Sequence, residues 1–215
     1  DKKYLKQFLQ IGSSEIYGPY DFPVKEDEKP NPTSPYAISK LAADYHMLSL
    51  YNRLGFPANV IRPCNCYGSG QLLYRLVPKA LLYGITNQKF PLEGGGQAKK
   101  SYMHAKDLAK AIYMILNSNK LGKIYNAGVE KPNTIRKITE TIASHLKIKF
   151  DDFIIDAKAR EAEDSQYWID SSLIKKDIGW EPKISLEEGV EETANWVIKN
   201  KEELLKEPFT FTLRA

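Results

Sequence analysis

Two features of the sequence predict an α/β fold built on a mainly parallel sheet. Short apolar runs alternate with helical periods along the chain, the order that lays helices over parallel strands. Polar clusters follow two of those runs, at GSSEIYG (12–18) and RPCNCYG (62–68). In parallel α/β sheets functional groups gather beyond the carboxyl ends of strands. The 215 residues, 42% hydrophobic and 27% charged, suffice for one sizeable core or two small ones and exclude a disordered chain. No apolar run is long enough to span a membrane, and no signal-peptide pattern is present.

The elements follow in order. Residues 1–6 read as the tail of a helix and 7–11 as a buried strand. Pro19, Pro23, Pro30, Pro32 and Pro35 mark 19–35 as loop. Ser34 precedes a helix over 35–54 that ends at Gly55, with Leu41, Tyr45, Leu48 and Tyr51 in helical period. A second buried strand spans 57–62, a loop 65–71, a helix 72–83 and a glycine turn 94–96. Then come a strand at 101–103, a helix at 106–117 and a strand at 123–126. Thr134 caps a helix over 134–146, and 153–155 and 167–169 read as strands. A helix at 172–178 stops at Gly179, and Ser185 opens the last helix with Glu188 completing a capping box.

The net charge of +4 is carried by scattered basic residues, the pattern of a solvated surface rather than a nucleic-acid face. Cys64 and Cys66 stand one residue apart with no CxxC and no His pair, so neither a disulfide nor a metal site is expected. Two buried, reduced thiols fit a cytoplasmic protein.

The chemistry begins with SPYAISK. Tyr36 and Lys40 are four apart on a predicted helix and share a face. An ammonium beside a phenol stabilises the phenolate, which makes such a tyrosine a base toward a hydroxyl. The spacing alone is weak, since Tyr and Lys recur at it by chance. Taken singly, Ser13 and Ser14 read as backbone caps and Glu15 as a solvated loop charge. The joint placement of Ser13, Ser14 and Glu15 after one strand, and of Arg62 to Asn65 after the next, favours a site.

With these motifs the sequence resembles the extended short-chain dehydrogenases that act on nucleotide-sugars, and among them the 4,6-dehydratases of the dTDP-glucose and GDP-mannose type. The resemblance runs through GSSEIYG, SPYAISKLAAD, RPCNCYGSGQ, PLEGGGQAKKSYMHAKDLAKAI, IYNAG and YWIDSSLIKKDIGWEPKISLEEGV. It implies a Rossmann-like parallel sheet, represented by its C-terminal part, over 1–65 and 103–130. A small α/β substrate-binding subdomain is expected over 66–102 and 131–215. It implies NAD as cofactor, with Tyr36, Lys40 and Pro63 on the cofactor. Ser13, Ser14, Glu15, Tyr36 and Lys40 are implied for catalysis. For the sugar nucleotide it implies Ser13, Asn65, Arg75, Leu76, Lys100, Arg160 and Asp164. It also implies a homodimer through the Tyr36-bearing helix.

Three departures accompany the resemblance. The family's glycine-rich GxxGxxG turn, which seats the NAD pyrophosphate on a helix end, is not in this sequence; Gly68-Ser69-Gly70 is a lone GxG. The chain is therefore expected to be a C-terminal portion of a larger enzyme. Lys100 replaces an arginine common in the family, giving charge without a bidentate fork. Glu93 stands where many relatives carry an aromatic residue. Glu15 favours a dehydratase, because a 4-epimerase needs no base at C5. Ser14 occupies the place of the general-acid aspartate of dTDP-glucose-type enzymes, which keeps the epimerase and UDP-glucuronate decarboxylase alternatives open. A non-catalytic dinucleotide-binding module is the further alternative, disfavoured by the Tyr36–Lys40 pair.

Overall fold

The computed structural model describes residues 4–159 and 166–209. The chain divides into two compact units. The first comprises Asp1–Cys66, Lys99–Pro132 and Asp164–Lys183; the second Tyr67–Ala98, Asn133–Glu163 and Ile184–Ala215.

The first unit is organised by a three-stranded parallel sheet with Ala58–Pro63 between Phe8–Ile11 and Ile124–Ala127. Pairing runs Ile11 to Ile61 and Pro63 to Ala127, so all three strands end at the same edge. The central strand is buried almost throughout, as its run ANVIRP predicts. Phe8–Ile11 is half exposed rather than buried, because among the described residues it pairs on one side only. Residues 4–6, expected as the end of a helix, are not helical.

The first crossover is the helix Pro35–Leu54. Its start is fixed by the Ser34 side chain, which accepts from the Ala37 N–H at 3.1 Å, and by Pro35, whose missing N–H costs nothing in the first turn. Gly55 ends it at φ +59°, a conformation that glycine adopts without strain. The second crossover contains Ala105–Leu116, capped by the His104 ring.

The expected division assigned all of 131–215 to the substrate part, whereas Asp164–Lys183 lies in the first unit. Three contacts tie it there. Val24 bridges Ile169, the Trp180 indole N–H donates to the Asp107 carbonyl at 3.0 Å, and Gly128 N–H donates to Ser171 Oγ at 2.9 Å. The core that results joins Ile61, Met103, Ile115, Tyr125, Ile169 and Trp180. The helix Ser172–Ile178 ends at Gly179 as expected.

In the second unit, helices Leu76–Ile85, Ile135–His145 and Leu186–Lys199 pack on one another. Beside them lies a parallel pair of strands, Phe90–Glu93 with Ile154–Ala157. The sequence reading missed Phe90–Glu93, which contains Pro91. The helix expected from residue 72 starts at Leu76, after a turn closed by Arg75 N–H on the Leu72 carbonyl. Thr134 caps its helix through Lys137 N–H, and Ser185 and Glu188 form the full capping box.

Candidate active site

The strand Phe8–Ile11 passes into Gly12, whose N–H donates to the Ile61 carbonyl at 2.7 Å. A Cβ at Gly12 would stand 2.7 Å from Asp44 Oδ1, so only glycine lets the strand end lie this close to the helix. Beyond it Ser13 is extended and buried, and its Oγ accepts from the Glu15 N–H at 3.2 Å. That bond starts a single 3₁₀ turn, Ser14–Tyr17. The local-cap reading of Ser13 is thus realised, and its hydroxyl proton remains available to a second acceptor. Ser14 is buried and Glu15 half-buried.

The helix Pro35–Leu54 packs against this turn and against both neighbouring strands. Tyr36 in its first turn is 50% exposed. The Lys40 ammonium lies 5.7 Å from the Tyr36 ring centroid and donates to the Ile11 carbonyl at 3.1 Å. One bond thereby anchors Lys40 to the strand end and holds its charge next to the phenol. The Ser13–Glu15 turn and the Tyr36–Lys40 helix start meet at the carboxyl edge of the parallel strands, where Pro63 ends the central one.

Asn65 is half-buried and opens the short strand Asn65–Tyr67, in place of the expected loop. Lys100, half-buried, lies in Lys99–Lys100, which pairs in parallel with Gln166–Tyr167. Arg75 and Leu76 belong to the second unit, where Arg75 is exposed, with its guanidinium 5.3 Å from the Tyr74 ring centroid. Arg160 and Asp164 lie outside the described residues.

A polar network beneath the site escaped the sequence reading. Asp44, fully buried, accepts from Arg62 Nε at 2.9 Å. Arg62 also donates to Tyr17 Oη at 2.7 Å and to the Glu26 carbonyl at 3.3 Å. Tyr17 donates to Asn126 Oδ1 at 3.0 Å, and the Glu26 carboxylate accepts from Asn126 N–H at 2.8 Å. Burial pushes the Asp44 and Glu26 carboxyls above the usual carboxylate range, against the pull of Arg62 on both. It pushes the Tyr17 phenol up as well. The signal was the spacing 36, 40, 44, which puts Asp44 on the Tyr36–Lys40 face of the helix. Among the described residues no His, Cys, Asp and Glu cluster could hold a metal, and no helix is long and apolar enough to cross a membrane. Cys64 and Cys66 are not joined in a disulfide.

A parallel α/β unit with Tyr-x-x-x-Lys at the carboxyl edge of its strands defines the class, a short-chain dehydrogenase fold. The chain belongs to the GDP-mannose 4,6 dehydratase family, whose model matches residues 2–193. It is similar to dTDP-glucose 4,6-dehydratase from Haemophilus influenzae, 29% identical over 93% of this chain and 63% of that one. In structure it is similar to dTDP-glucose 4,6-dehydratase from Bacillus anthracis, crystallised in complex with NAD. That likeness has a TM-score of 0.86 and 30% identity, and covers 91% of this chain and 63% of that one. UDP-glucose 4-epimerase from Thermotoga maritima, crystallised with UDP-glucose, shares the fold. Its TM-score is 0.86, with 24% identity over 91% of this chain and 64% of that one. The chain spans between 30% and 63% of the length of such curated relatives.

Proposed function

We propose that the protein carrying this chain is an NAD-dependent nucleotide-sugar 4,6-dehydratase. The reading is supported above all by one arrangement: a half-exposed Tyr36 beside an anchored Lys40, on a helix packed against the turn of Ser13, Ser14 and Glu15. Membership of a 4,6-dehydratase family supports the reaction class.

The donor set fits the nicotinamide-ribose end of NAD. The Lys40 ammonium and the open Tyr36 hydroxyl stand at the carboxyl edge of the strands, with Pro63 closing the central one. Tyr36, Lys40 and Pro63 would hold NAD, which would supply a hydride acceptor for C4 and a hydride donor for C6. Tyr36 takes the proton of the 4-hydroxyl, and Lys40 stabilises the phenolate that does so. Ser13, its oxygen already accepting from Glu15 N–H, donates its own proton toward O4. The 4-ketone acidifies the proton at C5. Glu15 removes that proton, the C6–O bond breaks, and the proton leaves with the hydroxide as water; hydride return to C6 is completed by a proton taken up at C5 from solvent, matched by the one Tyr36 gives back. Ser14 is a poor acid, so the Glu15 carboxyl serves the departing hydroxide. Asn65 and Lys100 are assigned to the diphosphate. The assignments of Arg75, Leu76, Arg160 and Asp164 to the sugar nucleotide rest on the family resemblance alone.

A homodimer is part of the proposal. On Pro35–Leu54 only Ala37 and Asp44 are buried, while Ile38 and Tyr45, on one face, are 56% and 52% exposed. A monomeric mass for the whole protein in solution would remove it.

Ser14 is the one observation favouring another outcome, a 4-epimerase or a decarboxylase. Incubating the full-length protein with a panel of nucleotide-sugars and reading products by mass decides between them. Loss of water is expected; unchanged mass with inverted stereochemistry, or loss of carbon dioxide, would overturn the dehydratase reading.

A further inference from the structure

Asp44 is used by nothing in the proposed reaction, yet it is fully buried beneath the site. Its side chain is fully buried on the helix that carries Tyr36 and Lys40, at the third position of one face. One carboxylate oxygen, Oδ2, accepts from Arg62 Nε at 2.9 Å. The other, Oδ1, has no hydrogen-bond partner among the described residues. It lies instead against the backbone of Gly12, where even a methyl group would come within 2.7 Å. Gly12 joins Ile11, whose carbonyl holds Lys40, to Ser13, whose Oγ organises the turn of Glu15. Lys40 also acts on this carboxylate, drawing Asp44 toward its ionised form, and the Ile61 carbonyl holds the Gly12 N–H.

Two contacts therefore set how the helix sits on the strand end: Lys40 on the Ile11 carbonyl, and Asp44 on Gly12. An unpaired oxygen in a buried site costs stability, which a purely structural pair would avoid by hydrogen-bonding both oxygens. We propose that Asp44 is a positioning residue for the Tyr36–Lys40 pair, pinned by Arg62 and pressed on Gly12 so that the phenol is held in register with Ser13 and Glu15. The inference rests on the dehydratase reading above. It deepens that reading by naming the contact that sets the geometry of oxidation at C4.

The test uses the full-length protein with nucleotide-sugar carrying hydrogen or deuterium at C4. Gly12→Ala puts a methyl group into the contact, and Asp44→Asn removes the charge at constant size. The expected result for Gly12→Ala is a kcat lowered by about tenfold or more, since displacements near 1 Å carry such losses. KM should stay within about twofold, and the deuterium effect on kcat should be larger than in the parent, because oxidation has become slower than the later steps. Asp44→Asn shifts both quantities in the same direction. A loss of activity that only tracks the fraction of folded protein, with an unchanged deuterium effect in both variants, overturns the proposal. If Asp44→Asn does not fold, Gly12→Ala decides alone. Tyr36→Phe is run alongside. If it still oxidises C4, the dehydratase assignment of Tyr36 falls; if it is dead while the deuterium effect in the other two is unchanged, only the role of Asp44 falls.

Discussion

Arg62→Met tests the buried network most sharply on the side of stability. Arg62 is 2% exposed and Asp44 fully buried, so the variant leaves a carboxylate without the one hydrogen-bond donor it has among the described residues. Tyr17 Oη and the Glu26 carbonyl lose a donor at the same time. Removing one partner of a buried ion pair costs about 3–5 kcal/mol, because the remaining charge is uncompensated. For a chain of this size that is a fall in melting temperature of roughly 6–20 °C. Adding Asp44→Asn removes the stranded charge at constant shape. The double variant should therefore recover on the order of 1–3 kcal/mol relative to the sum of the single changes. Urea unfolding of the parent, both singles and the double completes the cycle. A loss under about 1 kcal/mol for Arg62→Met, or strict additivity in the double variant, refutes the claim that this pair is a coupled, desolvated unit.

Two further predictions concern titration. Burial pushes the Cys64 thiol far up and the Cys66 thiol up to about 12. At pH 8 the Cys66 thiolate is thus on the order of one part in ten thousand, and a disulfide reagent should label neither cysteine quickly until the protein unfolds; rapid labelling of the native protein would contradict this. Burial also raises the Glu26 carboxyl above its ordinary value of 4.5. The native state then binds that proton more tightly than the unfolded chain does. This contribution to stability is complete below 4.5 and is lost as pH rises through the folded value. Glutamine does not titrate, so the stability of Glu26→Gln relative to the parent should increase between about pH 4 and pH 8. A difference that stays flat or shrinks shows that Glu26 is not desolvated in solution.

Local signals carried much of the fold. The helix Pro35–Leu54 has its cap, its first-turn proline and its terminal glycine written in order, and the sequence places both of its ends correctly. The capping box at Ser185 and the stop at Gly179 were equally local. Elements defined by distant partners were harder to read. Phe90–Glu93 is a strand because Ile154–Ala157 pairs with it from far along the chain, and its proline argues against it locally. Ser14–Tyr17 is a turn set by one serine oxygen. In the site, the pair Tyr36 and Lys40 was legible because both lie on one helix. Asp44 was not, because a lone carboxylate on a helix reads as solvated until Arg62 and Gly12 are known to face it. Glu26, in a proline-rich loop, gave no sign that its carboxylate accepts from the Asn126 backbone.

The central claim is that Glu15 is the base at C5 while Tyr36 and Lys40 carry the oxidation at C4. The measurement that tests it most directly is a single turnover of Glu15→Gln in the full-length protein, following cofactor reduction by absorbance and product by mass. The account predicts that the cofactor is reduced at close to the parent rate. It then stays reduced, with the 4-keto sugar accumulating and no water lost. Release of the 4-keto-6-deoxy product at the parent rate would contradict it.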